Sequence, residues 1–410
     1  MSMLEQTREN ALNLFEQLGL PSQRDEDWKY TDASRLQGLL EIGEVDSTLS
    51  SKGLGITSLD AYRLVFINGL LDSSQSILPK DVDIQSITTL DTSALEDSEL
   101  FQVHADAPLF NGFNALNAAK ASDGAAVCLA DNTKLDKPLY ILHISNQNNA
   151  VRHGLMLGKL AEAEIIEHFI SLGGAKALSN AATTIMLKDG ARLEHSRLQQ
   201  EGAKQSHVAR VEIKQLAHSS YTFHGVELGG MLSRTDVVVD LHEEGASCSL
   251  NGLFVLGGRQ HVDHHTRIDH TAPHCTSREH YRTVLDGRSH GVFNGKVMVH
   301  KGAIKTDSDM QNGNILLSKH AEIDTKPELE IYNDDVKCAH GATVGQLDDK
   351  QLFYLRSRGI SEESAQELLT FAFADEILAG MSNQTVRRYV EKAAFAKLPH
   401  SDDLEGLLSE

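Results

Sequence analysis

The sequence predicts a mainly β protein built around a right-handed parallel β-helix, a solenoid, with helical amino-terminal and carboxy-terminal regions. Short segments of β-branched or alternating apolar residues recur from about residue 137 to 350, as in TTIMLKDG and TDVVVDLHE. Small-residue corners such as Gly190-Ala191 and Gly245-Ala246 precede them, about 28 residues apart at first and about 20 near the end. The whole chain has only 7 prolines, and no long helical pattern interrupts the run.

A β-sandwich or barrel is the alternative for the same segment. That fold would need hairpin turns of the Asn-Gly or Asp-Gly type about every 8 to 12 residues. Such dipeptides occur at Asp189-Gly190, Asp286-Gly287, Asn251-Gly252 and Asn294-Gly295. The preference for a solenoid therefore depends on the period of the corners and not on the turns.

The first region, residues 1–135, is expected to be helical and α/β. An amphipathic helix at the start should end at Gly19 and Pro21. The single tryptophan, Trp28 in RDEDWKYTD, is interpreted as an aromatic anchor that pins this arm to the rest of the molecule. Farther on, RLVFI predicts a strand followed by an Asn-Gly turn, and PLFNGFNALNAAKASDGAAVCL predicts a short helix leading to a strand.

After the solenoid core, residues 136–348, the pattern returns to helix in residues 349–410. Ser361 is a suitable N-cap, followed by two glutamates that favour the positive end of the helix dipole. A second helix is predicted from about residue 382. The two helices are expected to pack onto the end of the solenoid, or else to form a docking site for a partner protein. The apolar stripe of the first helix comprises Ala365, Leu368, Leu369, Ala372, Phe373 and Ile377.

Composition excludes several classes of function. The net charge of −20 argues against nonspecific binding to nucleic acid or anionic membranes. The sequence has no P-loop and no dinucleotide-binding GxGxxG, so it cannot bind ATP by the Walker mechanism. The first residues do not resemble a signal peptide, and the four cysteines are far apart without a CxxC pair. Reduced thiols and a cytoplasmic location are therefore expected.

The densest group of potential metal ligands is RQHVDHHTRIDHTAPHCTSREHY, residues 259–281. Its spacings match no zinc motif, and histidines stacked on a solenoid can be structural. A metal-dependent enzyme that uses this segment between His261 and His280 remains an alternative. A β-helix enzyme acting on carbohydrate is a further alternative, although such enzymes are usually exported.

A second candidate is DDVKCAHGATVG, residues 334–345. Cys338 and His340 would share one face if this segment is extended, because side chains alternate along a strand. His340 precedes Gly341, which the corner pattern places at the last corner of the solenoid. An uncovered final rung invites another chain to add strands. The pair is therefore expected at a seam between proteins, where it could bind iron or copper with a partner's ligands; a buried structural cysteine and a hydrogen-bonded histidine are the alternative.

Two long phrases lie within about residues 250–380: HVDHHTRIDHTAPHCTSREHYRTVLDGRSHGVFNGKVMVHKGAIKTDSDMQNGNILLS and AEIDTKPELEIYNDDVKCAHGATVGQLDDKQLFYLRSRGISEESAQELL. They resemble the SufB/SufD family of iron–sulfur cluster assembly proteins, and the SufD branch more than the SufB branch. The amino-terminal LPSQRDEDWKYTD resembles the same family. The resemblance thus extends over most of the chain.

The resemblance implies a right-handed β-helix in a non-catalytic scaffold subunit that pairs with SufB. It places the key histidine of the SufB seam at His340, beside Cys338, with transient iron or a nascent cluster there and no tightly bound cofactor in the isolated chain. Two copies of the ATPase SufC would dock on the carboxy-terminal helices, and a homodimer is expected when SufB is absent. The implied SufC-binding helix spans about residues 359–379 and includes Ser361, Ala365, Leu368, Leu369, Ala372 and Phe373.

Overall fold

A computed structural model describes residues 3–80, 82–89 and 98–398. The end of the predicted carboxy-terminal region, residues 399–410, lies outside the described residues. The α-helices are α1 Met3–Leu18, α2 Gly112–Lys120, α3 Asp349–Ser357, α4 Glu362–Leu378 and α5 Gln384–Phe395. The strands are β1 Tyr62–Ile67, β2 Leu70–Leu71, β3 Asp83–Ser86, β4 Ala125–Leu129, β5 Leu139–Ser145, β6 Asn149–Leu157, β7 Glu162–Ser171, β8 Ala177–Leu187, β9 Arg192–Gln200, β10 Gln205–Gln215, β11 Ser220–Glu227, β12 Leu232–Leu241, β13 Ser247–Leu256, β14 His261–His270, β15 Thr276–Leu285, β16 His290–Val299, β17 Asp307–Leu316, β18 Glu322–Ile331 and β19 Lys337–Gly345.

The strands form a parallel β-solenoid, which confirms the predicted fold class. Sheet A runs in the order β19-β17-β15-β13-β11-β9-β7-β5-β1-β2, and sheet B in the order β18-β16-β14-β12-β10-β8-β6-β4-β3. Each rung of the solenoid contributes one strand to each sheet. In parallel register Ser206 lies beside Leu232 and His290 beside Glu322, and one rung takes 26 to 32 residues from β4 onward. The first rung is longer, since Tyr62 of β1 pairs with Leu139 of β5.

The predicted shortening of the period to about 20 residues is wrong. Ala321 does form a corner before β18, but Gly341 and Ala342 lie inside β19. His340 is therefore in a strand and not at a corner. Small residues occur in both places, so the sequence pattern cannot separate a corner from the crowded middle of a strand.

The hairpins of a sandwich are not present at the four dipeptides. Asp189-Gly190 and Asp286-Gly287 lie at corners between the sheets, where both glycines have positive φ, 67° and 69°. Asn251-Gly252 and Asn294-Gly295 lie inside strands. A Cβ on Gly252 would fall 2.1 Å from a ring carbon of Tyr281 on the next rung, so the glycine makes room for a stacked aromatic ring.

The interior of the solenoid is apolar along most of its length and includes Leu193, Tyr221, Leu250 and Phe293. Strands such as β8 and β12 are buried along almost their whole length, because both of their faces are covered, as is usual for parallel sheets. Buried polar groups interrupt this core. One is Glu279, which accepts a hydrogen bond from Thr266 Oγ1 at 2.6 Å. Burial raises the pKa of Glu279 to about 7, although the Thr266 hydrogen bond opposes the rise.

The amino-terminal arm is anchored as the sequence predicts. Trp28 is 2% exposed and stacks on Phe113 of α2, with ring centroids 5.4 Å apart. The Arg234 guanidinium also contacts the Trp28 ring and lies 4.4 Å from its centroid. Arg234 also donates to Asp27 O at 2.6 Å and to Asp263 at 2.6 Å. The predicted strand, Asn-Gly turn and short helix of this region are present as β1, Asn68-Gly69 and α2.

The carboxy-terminal helices pack on the outer face of sheet A, and the prediction that they cover the end of the solenoid is wrong. α4 contacts β13 and β15. The outward side chains of sheet A and the helices share one apolar cluster, which joins Val226 and Val255 to Ile377 and Val390. Helical periodicity identifies the apolar stripe of a helix, but it does not identify the surface that the stripe covers.

Candidate functional site

The carboxy-terminal end of the solenoid is uncovered in the described part of the chain. β19 and β18 are the terminal strands of the two sheets. Every residue of these strands is half-buried or exposed, whereas the preceding β16 and β17 contain fully buried residues. The large apolar side chains exposed here and in α3 are Ile331, Tyr332, Val344, Phe353 and Tyr354.

Cys338 and His340 continue the inward-facing rows of the solenoid core. In the parallel register Ser308 lies beside Cys338 and Met310 beside His340. Ser308 and Met310 are buried at 3% and 0% exposure, whereas Cys338 is half-buried against the core and His340 is exposed. The thiol and the imidazole therefore share the inner face of the last rung, which no further strand covers in the described chain.

Backbone groups of β19 also face outward along its free edge. The Lys337 N–H donates to Thr306 O at 2.8 Å, toward β17. Because backbone groups of successive residues point to opposite sides of a strand, those of Cys338, His340 and Ala342 point away from β17. This edge can accept the strand of another chain.

The core beneath the last rung is polar. Asn314 Nδ2 donates to Asn312 Oδ1 at 2.6 Å and to Thr343 O at 3.0 Å, and Thr325 donates to Asn312 at 2.8 Å. One atom of each amide, Asn312 Nδ2 and Asn314 Oδ1, is buried without a partner in the described structure. These two unpaired amide atoms therefore lie within the core directly beneath the last rung.

The chemistry of Cys338 is that of a protonated thiol. Burial raises its pKa, and the Asp307 carboxylate raises it further. All four cysteines are free of disulfide bonds. A thiol with a raised pKa binds metal poorly until a neighbouring positive charge or the metal itself displaces the proton.

The histidine-rich segment does not converge on one point. His264 faces the interior and lies 3.3 Å from Glu227, whereas His265 lies on the other face beside Asp263. His270 pairs with Ser277, and the half-buried His280 lies beside Asp309. Among residues 3–80, 82–89 and 98–398, no three His, Cys, Asp or Glu side chains form a group able to hold a metal ion. The geometry therefore does not favour the metal-dependent enzyme.

The predicted partner-binding residues of α4 have different environments. Ser361 caps the helix by accepting from Ser364 N–H at 3.0 Å, which confirms the predicted N-cap. Ala365 is buried, and Leu368 and Phe373 pack against the cluster shared with sheet A. Leu369 is half-buried and Ala372 is exposed. None of the described helices is long and apolar enough to cross a lipid bilayer.

Two family models match the chain. The SUF system FeS cluster assembly SufBD core domain matches residues 140–373, and the SufBD protein N-terminal region matches residues 1–141. The chain belongs to the SufBD family. It therefore has a role in iron–sulfur cluster assembly, and the resemblance noted in its sequence is confirmed.

Curated relatives of the SufBD family match along nearly the whole chain. The iron–sulfur cluster assembly protein SufD of Escherichia coli is 34% identical over 93% of this chain and 90% of its own length. A SufBD family protein of Synechocystis is 32% identical over 92% of this chain and 87% of its own length. The chloroplastic protein ABCI7 of Arabidopsis thaliana is 25% identical over 94% and 84%. The family assignment thus covers both the solenoid and the amino-terminal arm.

Proposed function

We propose that this chain is a SufD-type scaffold subunit without catalysis of its own, and that it pairs with SufB through the free edges of β18 and β19. The observation that carries the proposal is the uncovered last rung, where backbone groups, a thiol and an imidazole are accessible together. Pairing would extend the two sheets into the partner and cover the exposed apolar side chains Ile331 and Val344.

The seam between the two subunits is where iron or a nascent cluster would be handled as cargo. Cys338 and His340 supply sulfur and nitrogen ligands from one face of one strand, two positions apart. Two ligands leave the coordination of iron incomplete, so the partner subunit completes it. This arrangement makes binding transient and dependent on assembly, and it requires no resident cofactor in the isolated chain.

The region of residues 359–379 is the proposed contact for the ATPase SufC. Leu369 and Ala372 are not part of the cluster that joins α4 to sheet A, so they are available to a partner. Because α4 packs against β13 and β15, a pull on this helix would act on the solenoid directly. Nucleotide-driven closure of two SufC subunits would thereby change the conformation of the seam between this chain and SufB. This requires that the contacts with SufC differ in free energy between the open and closed states of the complex.

Replacing Ala342 with proline tests the pairing edge. The Ala342 N–H points away from β17, so proline removes an edge donor without breaking the ladder between β17 and β19. We expect Ala342→Pro to lose at least about tenfold in retention of coexpressed SufB, since several edge contacts depend on that strand. The matched control, Ala342→Val, retains the N–H and should bind normally. Equal retention by both variants, with unchanged circular dichroism, would contradict pairing through this edge.

Replacing His340 with alanine tests the chemistry of the seam separately from its assembly. His340 is exposed, so the variant should fold and assemble with SufB and SufC as the unmodified chain does. Cluster formation by the purified complex, followed by visible absorption, should fall by about tenfold or more because one ligand is lost. His320→Ala, an exposed histidine at the corner before β18, is the control. An unchanged cluster yield in an intact complex would refute the role of His340.

A further inference from the structure

A second cavity lies away from the seam, between the amino-terminal arm and one row of corners of the solenoid. Its volume is about 430 Å³, which suits a small molecule up to the size of a mononucleotide. The arm contributes Asp32 and Arg35, and the solenoid contributes Arg259 and Arg288. The arm is held rigidly at this place, because Thr31 donates to Asp263 at 2.5 Å and contacts His261 at 2.8 Å.

Positive charge is stacked along one wall of the cavity. His261 lies beside His290 in register, so Arg259 and Arg288 occupy the same corner position on consecutive rungs. The Arg288 N–H donates to Gly258 O at 2.7 Å, which fixes the two corners against each other. Consecutive rungs are about 4.8 Å apart, so the two guanidinium groups begin from closely spaced points on the backbone. Like charges this close repel unless an anion lies between them.

The described residues do not neutralise this charge. Asp32 is the one carboxylate among the residues lining the cavity. Its Oδ1 accepts from the backbone N–H and the hydroxyl of Ser34 at 3.0 and 2.6 Å, and its Oδ2 lies 3.4 Å from Arg35. Arg259 and Arg288 are exposed and form no ion pair within the described chain. A local excess of positive charge is notable in a protein of net charge −20.

A buried hydroxyl group lies in the same wall. Ser206 lines the cavity, is 0% exposed, and its Oγ has no hydrogen-bond partner in the described structure. Buried hydroxyl groups are almost always paired, so this donor requires an acceptor. An oxyanion in the cavity would supply that acceptor and would also separate the two arginines.

We propose that this cavity binds a small multivalent oxyanion, with Arg259, Arg288 and Arg35 providing the charge and Ser206 donating from the wall. The shared chemistry is that of phosphoryl groups and clustered carboxylates, both of which guanidinium groups bind through paired N–H donors. The site lies on the arm side of the molecule and does not involve Cys338 or His340, so it is independent of the proposed pairing with SufB.

The test is isothermal titration of the full chain with inorganic pyrophosphate and, separately, with citrate, at constant ionic strength. We expect saturable binding of at least one probe, weakened about tenfold or more in the Arg259→Gln/Arg288→Gln double variant because two charge-assisted contacts are lost. Arg388→Gln, an exposed arginine of α5, is the matched control and should bind as the unmodified chain does. All three changes are at exposed positions, so thermal unfolding should be unaltered.

The outcomes separate the sources of the ligand. Binding of pyrophosphate alone supports a phosphoryl ligand, binding of citrate alone supports a carboxylate ligand, and binding of both supports the shared chemistry. Ser206→Ala should weaken binding by a smaller factor than the double variant. The proposal would be overturned if neither probe binds at about 10 mM, or if the double variant and the control bind with equal affinity.

Discussion

Replacing Arg234 with methionine is expected to lower the free energy of unfolding by about 3 to 5 kcal/mol. Arg234 is fully buried and pairs with Asp236 at 2.8 Å and Asp263 at 2.6 Å. The methionine variant would leave both carboxylates buried without their cation. Although burial alone would raise the pKa of Asp263, Arg234 and then His265 hold it well below its usual range. The stabilisation is therefore present above the pKa of the unfolded carboxyl, about 4, and is lost in acid.

Urea unfolding of Arg234→Met at pH 7 measures this effect, and limited trypsin digestion shows whether the arm around Trp28 is released. The double variant Arg234→Met/Asp263→Asn should recover part of the loss, because it removes one of the uncompensated charges. Arg388→Met, at an exposed position, should change stability by less than about 0.5 kcal/mol. A loss below about 1 kcal/mol for Arg234→Met would contradict the assigned role of the buried ion pair.

Replacing Glu279 with glutamine is expected to stabilise the protein above neutral pH. The folded chain keeps the Glu279 proton up to about pH 7, whereas the unfolded chain releases it near 4.5. Between these values the folded state binds more protons, so stability falls as the pH rises, by about 1.4 kcal/mol for each pH unit. At pH 8 the glutamine variant, whose amide oxygen can still accept from Thr266, should therefore be more stable by about 2 to 3 kcal/mol.

Urea midpoints of Glu279→Gln at pH 5 and pH 8 provide the measurement. Near pH 5 the two proteins should have nearly equal stability, and the difference should grow toward pH 8. Glu363→Gln, at an exposed position in the first turn of α4, serves as the control. A difference that does not depend on pH would mean that Glu279 is not protonated in the folded state.

The repeating part of the fold is predictable from sequence because a solenoid applies one rule at every rung. Short apolar strands and small-residue corners recur, and the parallel sheets follow from that recurrence. The end of the solenoid is less predictable, because the same small residues form the corner at Ala321 and the strand interior at Gly341. The shared face of Cys338 and His340 is predictable, since it depends only on alternation in a strand. Their position in the interior row depends on register, which local sequence does not specify.

The packing of the carboxy-terminal helices was not predictable for a related reason. Strands such as TDVVVDLHE are apolar on both faces, so the sequence does not reveal which face the interior uses and which face receives α4 and α5. The buried ion pair between Arg234 and Asp263 has no local signal in the sequence, because Asp263 is 29 residues away along the chain and lies beside Arg234 only through the period of one rung. Arg259 and Arg288 are also 29 residues apart, so the local sequence does not show that both line one cavity.

The regular rung makes the protein a molecular spacer whose length changes in discrete steps. A deletion or insertion of one complete rung between β12 and β19 would move the thiol and imidazole of β19 along the axis by about 4.8 Å relative to Trp28, and every remaining inward side chain would stay inward. A deletion of one residue within a strand would instead exchange the lining of the core with its outer surface. Variation in length is therefore tolerated only in whole rungs, and the number of rungs determines the length of the solenoid.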